Sequence, residues 1–258
     1  MQKNMPKLDL MTVGEAGLDT FLALKDASLL CNVDRDKCWL CLSYADKIPV
    51  SELHESLGHN ACNVAVGAAR LGLRTGLYAA IGDDDIAKKI TTTLRKEGVA
   101  TSFLQVKRNS SSSSSVVLNY ETERTILIYH QPFSLRVPKL PRVSWVYLTS
   151  LGKDFRHAHK ELLGQQLENG FNIAFNPGDQ QLKAGRRTLG PILKNCALLI
   201  VNKEEAQRLC ETTDDLPKEL LGRLRGLGPN IVVMTDAERG AYAYDGEKYY
   251  RSKVLSSK

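Results

Sequence analysis

From Val143 to Thr235 the chain alternates short apolar runs with helix-length amphipathic segments, and this alternation constrains the fold more than any other feature. Trp145 to Leu148, Asn172 to Phe175, Ala197 to Val201 and Ile231 to Met234 have the length and β-branched character of strands. Between them, Arg156 to Asn169, Gln180 to Lys194 (with a break near Gly190-Pro191), Glu204 to Cys210 and Leu216 to Leu227 read as helices. Strands joined through helices run parallel, and a parallel sheet buries both faces. The expectation is a three-layer α/β/α fold around a mostly parallel central sheet. Ala241 to Tyr244 and Lys248 to Val254 flank Asp245-Gly246, a hairpin signal that adds an antiparallel edge.

The first half holds the candidate binding residues. Leu8 to Val13 reads as the first strand, and Gly14 to Asp19 as the loop leaving it. Ligands gather at such strand ends in open α/β sheets, which makes Asp19 a candidate binding carboxylate; a turn or cap residue is the plain alternative. Gly58 opens a stretch in which Ala61, Val64, Ala65, Ala68, Ala69 and Leu71 recur at helical spacing, so a helix of small residues can press close to a sheet. Gly72 ends it, Gly76 to Ile81 reads as a buried strand, and Gly82-Asp83-Asp84 as a turn. Asn60 and Asn63 begin the helix three residues apart, and their amides are expected to point together at a hydroxyl-rich ligand. Ile86 to Glu97 reads as a helix capped by Asp84 or Asp85. Asp19 to Leu57 is less regular, with a strand at Trp39 to Tyr44; Phe103 to Val106, Val116 to Tyr120 and Thr125 to Tyr129 also read as strands, and the two segments together are expected to make a small β-layer over the sheet. The run Ser110 to Ser115 reads mostly as a flexible connector, in which a serine could still face a ligand.

Composition narrows the function. The chain of 258 residues carries a net charge of +6, spread without a basic run interleaved with aromatics. Nucleic-acid binding is therefore not expected, while phosphorylated ligands suit the charge. No signal peptide or membrane-length apolar run is seen, so a cytoplasmic protein with no membrane partner is expected. On that basis Cys31, Cys38, Cys41, Cys62, Cys196 and Cys210 are expected to be reduced thiols. Cys38 and Cys41 form a lone C-x-x-C in a strand rather than a zinc site, and His157 and His159 read as surface residues.

Asn202 and Glu205 lie at a strand end on one side of a first helical turn. They can order a hydrated Mg²⁺, Glu205 acting through water, or simply form a capping box. Thr235 to Gly240 also follows a strand and is either a phosphate-holding loop or a plain turn. Walker A, G-x-G-x-x-G and nucleophile-elbow motifs are missing from the sequence.

Together these segments resemble the ribokinase-like, or PfkB, family of sugar kinases over essentially the whole chain, with Gly58 to Asp84 similar to the family's first signature. The resemblance implies one ribokinase-like α/β domain across residues 1–258, with a β-lid from about 20–57 and 103–131. It implies that Asp19, Gly58, Asn60 and Asn63 bind a sugar or nucleoside. Asn202, Glu205, Thr235 and Gly240 would then bind ATP with Mg²⁺, and the lid would offer a homodimer interface. Three positions depart from the pattern: His59 replaces the second glycine of a Gly-Gly pair, Ala237 replaces a phosphate-loop glycine, and the Gly-Ala-Gly-Asp signature is not reached before Lys258. The catalytic aspartate is expected beyond Lys258. The chain itself is thus expected to be an impaired ATP-dependent kinase, or a sugar-binding sensor derived from one.

Overall fold

The computed structural model describes residues 7–33 and 37–254. The chain enters through β1 (Leu8–Val13) and β2 (Gly17–Leu24), then the hairpin β3 (Ser28–Cys31) and β4 (Cys38–Cys41), then β5 (Val50–Gly58). Helix α1 (Asn60–Arg70) leads to β6 (Thr75–Tyr78), β7 (Ala80–Ile81), α2 (Asp85–Lys96) and β8 (Gln105–Val106), followed by the hairpin β9 (Ser113–Tyr120) and β10 (Glu123–Tyr129). The second half runs β11 (Val143–Leu148), α3 (Phe155–Asn169), β12 (Asn172–Phe175), α4 (Asp179–Lys183), α5 (Gly185–Leu193), β13 (Leu198–Asn202), α6 (Lys203–Cys210), α7 (Pro217–Gly226) and β14 (Ile231–Thr235), and then the hairpin β15 (Ala241–Tyr244) and β16 (Tyr249–Ser252).

The main sheet has the order β16-β15-β14-β13-β12-β11-β1-β6. It is parallel from β14 to β6, and the Asp245-Gly246 hairpin adds its two antiparallel strands at one edge. Strand side chains alternate between faces, so consecutive residues feed different cores. Leu77 packs with Ala61, Ala65 and Ile90, whereas Tyr78 packs with Met11, Val146 and Leu148. Helix α1 buries only small side chains, Ala61, Cys62, Ala65 and Ala68, and therefore lies close on β1 and β6. Gly14 marks that closeness: a Cβ there would stand 3.0 Å from the Ala61 Cβ and 2.7 Å from the Thr149 Cγ2.

The expected helix break near Gly190-Pro191 falls elsewhere. Helix α4 stops before Gly185, whose φ of 79° is easy only for glycine, while Pro191 lies inside α5. Proline removes one backbone hydrogen bond from a helix, but a left-handed residue redirects the whole chain. The expectation of six free thiols is also corrected. The β3–β4 register sets Cys31 opposite Cys38, and the two form a disulfide. Among the other cysteines, burial pushes the Cys62 and Cys196 thiols up to about 12, so neither is a nucleophile at neutral pH.

A second sheet, β10-β9-β2-β5, lies apart from the main sheet and forms the lid layer. Asp19 is therefore a strand residue rather than a loop residue, because β2 begins at Gly17. The serine run is not a loose connector either. Ser113 to Ser115 begin β9, and buried Ser112 joins two turns: its Oγ accepts from the Gly82 amide at 3.0 Å and donates to Asp84 at 2.7 Å. Burial alone would raise the Asp84 carboxyl. Hydrogen bonds from Ser112 and from the Ala87 amide, which Asp84 caps at the start of α2, hold it below the usual carboxylate range. A depressed carboxylate adds stability above its unfolded pKa and loses it as pH falls through the folded value. Ser112→Ala is accordingly expected to cost about 1–2 kcal/mol in urea unfolding at pH 7. The deficit should begin to shrink as pH drops below about 4, where the unfolded chain's carboxylate protonates, and go on shrinking as pH falls through the depressed folded value.

Candidate active site

The lid strands align Asp19 with Ser115 and Ser115 with Ile128, so three neighbouring strands present one residue each at the same level. All three line a cleft of about 480 Å³ between the lid and the main sheet. His59 and Asn60 close it from the start of α1, and Ser150, Lys153 and Asp179 reach it from the carboxyl ends of β11 and β12. Gly58 is the floor beneath Asp19: a Cβ at Gly58 would lie 2.3 Å from the Asp19 Oδ1. The structure therefore brings Asp19, Gly58 and Asn60 together. It does not bring Asn63 to them. Asn63 is exposed and borders a different hollow, with Leu18, Val66 and Lys89. Three residues along a helix is nearly a full turn, but α1 begins at Asn60, so the amide of Asn60 still follows the incoming strand.

His59 occupies a backbone position with φ 68° and ψ 146°, a region costing roughly 1–3 kcal/mol for a residue with a side chain. Glycine would adopt this conformation without that cost. Its ring fits because Gly17 has no Cβ: one added there would stand 2.5 Å from the imidazole Nε2. Burial pushes the His59 pKa down, the charge of His130 adds to this, and Asp19 opposes it. Burial likewise raises the carboxyl of Glu15, against the pull of His130.

At the far end of the sheet, Asn202 and Glu205 make a complete capping box. The Glu205 amide donates to Asn202 Oδ1 at 2.8 Å, and the Asn202 amide donates to Glu205 Oε2 at 2.9 Å. Burial raises the Glu205 carboxyl, and the Asn202 amide only partly offsets this. Parallel register places Asn202 beside Thr235. After Thr235 the loop turns back tightly, with the Asp236 amide donating to the Gly240 carbonyl at 2.8 Å. Ala237 holds φ 41° and Gly240 φ 91°, so the alanine tolerates a left-handed conformation that glycine would adopt without strain. Two cations flank this loop. Lys203 pairs with Asp215, and Arg239 stands 3.4 Å from Asp236 and 3.8 Å from Asp215. Composition gave no sign of either, since Asp215 is recruited from the segment before α7.

Asn176, at the end of β12, links the two regions and carried no motif. Its Oδ1 accepts from Asn60 at 3.1 Å and from Tyr147 and Thr149 at 3.4 Å, while its amide donates to the Ile200 carbonyl. Burial pushes the Tyr147 phenol up to about 12, and the charge of Glu205 adds to that, so Tyr147 lies electrostatically between Asn176 and Glu205. His159 was expected at the surface and is instead buried. Burial lowers it to about 4, and the neutral ring shares a 3.1 Å hydrogen bond with Gln181. Gln181 in turn donates to the Thr149 carbonyl and accepts from the Gly178 amide, fixing the two strand ends that border the cleft.

A parallel sheet covered on both faces, with a separate β-lid over a cleft at the strand ends, defines the ribokinase-like class of fold. The fold of Arabidopsis thaliana ribokinase, solved with ribose and ATP, matches it with a TM-score of 0.71 over 97% of this chain and 79% of that one, at 16% identity. The chain belongs to the pfkB family of carbohydrate kinases, whose model matches residues 28–256. Among curated relatives, fructoselysine 6-kinase of Shigella flexneri is 28% identical over 199 residues, which is 75% of this chain and 71% of that protein. A nucleoside kinase of Methanothermobacter thermautotrophicus is 25% identical over 197 residues, 74% of this chain and 62% of that protein. Among the described residues no helix is long and apolar enough to cross a membrane.

Proposed function

We propose that the cleft binds a sugar or a nucleoside and that ATP binds where β13 and β14 end, for transfer of the γ-phosphate to a substrate hydroxyl. The observation that carries this reading is the convergence of Asp19, Asn60 and Ser115 on one cleft under the lid. A carboxylate, an amide and a hydroxyl together offer the donors and acceptors that a polyhydroxylated ligand needs. Asp19, Gly58 and Asn60 are the substrate residues in this reading, and Asn63, facing another hollow, is left out. Asn202, Glu205, Thr235 and Gly240 are the nucleotide residues, with Lys203 and Arg239 supplying positive charge beside the phosphates.

The site fits Mg²⁺ through one group. Glu205 is a half-buried carboxylate whose hydrogen bond does not fully offset its burial, so a hydrated cation beside it is favoured. When bound, the ion neutralises phosphate charge; the capping box holds Glu205 in place, and the α6 amino terminus faces the same end of the sheet. Glu205→Gln preserves the reach to the Asn202 amide but removes the charge. It is expected to weaken ATP affinity about tenfold in the presence of Mg²⁺ and much less in EDTA, read by titration calorimetry. A lid homodimer belongs to the same reading, since β10 is an unpaired edge of the lid sheet and exposes Leu127 and Tyr129 on the side away from the cleft-lining Ile126 and Ile128.

No residue of this chain is assigned as the base that takes the hydroxyl proton. An ADP-release assay over sugars and nucleosides separates the two forms of the proposal. Substrate-stimulated release identifies a working kinase, and sugar binding without release identifies a sensor built on the kinase fold.

A further inference from the structure

We propose that Glu15, His59 and His130 form a binding site for a divalent transition-metal ion of the Zn²⁺ kind on the wall of the cleft. One donor atom from each residue lies within 4.8 Å of the other two. Glu15 Oε2 stands 3.8 Å from His59 Nδ1 and 3.5 Å from His130 Nδ1. Two donors on a tetrahedral zinc, with bonds of about 2.0–2.1 Å, are about 3.4 Å apart. Both carboxylate–imidazole edges are therefore within a few tenths of an ångström of that spacing. The imidazole–imidazole edge, within 4.8 Å, requires a rotation of His130, whose side chain is 51% exposed, to reach that spacing.

The three groups do not satisfy one another as they stand. Separations of 3.5 and 3.8 Å are too long for hydrogen bonds. Among the described residues the Glu15 carboxylate, 19% exposed, accepts no side-chain hydrogen bond, and a part-buried carboxylate without one is unfavourable. His59 Nε2 is buried beside Gly17 without a hydrogen-bond partner, so no hydrogen bond fixes the ring on that side, and it turns Nδ1 towards Glu15. The histidine also stands at a backbone position that suits glycine, and its ring rests in space that only Gly17 leaves open. Strain of this kind persists where surrounding structure and function hold it. Two imidazoles with one carboxylate select zinc, copper or nickel over magnesium, which prefers oxygen. Three protein ligands leave one position for an exogenous ligand, and Glu15, His59 and His130 all border the cleft that Asp19 and Asn60 also line. The inference rests on these side chains and needs no kinase turnover.

The test is titration of the metal-free chain with Co²⁺, whose tetrahedral complexes absorb visibly, followed by displacement with Zn²⁺. One Co²⁺ per chain is expected, displaced by an equivalent of Zn²⁺. His130→Ala, Glu15→Gln and His59→Gly should each weaken binding at least tenfold, the lower limit for losing even an outer-shell partner. His59→Gly suits the backbone at φ 68°, so circular dichroism should show it folded. Cys41→Ser, which removes the one free thiol that is not fully buried among the described residues, should leave binding unchanged. Absence of one-to-one binding, binding that survives both His130→Ala and His59→Gly, or loss with Cys41→Ser alone would each overturn the proposal.

Discussion

Gly58→Ala is expected to lower ligand affinity roughly ten- to a hundredfold while changing stability by less than about 1 kcal/mol. The added Cβ would stand 2.3–2.8 Å from the Asp19 carboxylate and meets no other atom among its three nearest neighbours. Asp19 is a short side chain that can swing away, so the fold absorbs the change. The binding carboxylate is displaced from the cleft in the process, and a hydrogen bond to a charged group is worth about 1.5–3 kcal/mol. The effect should therefore not add to that of Asp19→Ala: the double variant should bind no more weakly than Asp19→Ala alone. Full additivity in that cycle would mean Gly58 contacts the ligand independently.

The second large effect is on stability. Asn176→Ala is expected to cost about 2–4 kcal/mol in urea unfolding, because it strands several polar groups at once. The Ile200 carbonyl loses its donor, and Tyr147, Thr149 and Asn60 lose a shared acceptor. Tyr147 is the telling partner, since burial already pushes its half-buried phenol up to about 12. Asn60→Ala removes only the exposed arm of the same network and should cost under about 1 kcal/mol. Equal losses in the two variants would show that Asn176 is not the junction between the cleft and the nucleotide end.

The fold was largely legible because the parallel sheet writes itself as period. Strand β12 is Asn172–Phe175 in both sequence and structure, and the Asp84 cap of α2 is where the carboxylate preceding an amphipathic run places it. What the sequence hid depends on register rather than period. Nothing local sets Asp19 opposite Ser115, because that pairing joins strands almost a hundred residues apart and is parallel within the lid. The serine run reads as a linker by composition alone; Ser113 to Ser115 become strand by pairing with β2 and β10, while Asp84 and Gly82 hold Ser112 at its start. Glu15 and His130 come together through the lid as well, each unremarked in its own segment. His159 reads as a surface residue until the Gln181 hydrogen bond is seen, since a buried histidine has no sequence signature of its own. The paired amides of Asn60 and Asn63 show the opposite failure, a regular spacing that the start of α1 does not carry into the cleft.

The account stands most directly on what occupies the cleft. Titration calorimetry of the chain against pentoses, hexoses and nucleosides, in wild type and Asp19→Ala, measures this without requiring turnover. At least one compound should bind with one-to-one stoichiometry, and Asp19→Ala should weaken that compound tenfold or more, the fold-change equivalent of about 1.4 kcal/mol. Binding by no member of the panel, or affinity unchanged in Asp19→Ala and Asn60→Ala alike, would contradict a substrate site between the lid and the main sheet.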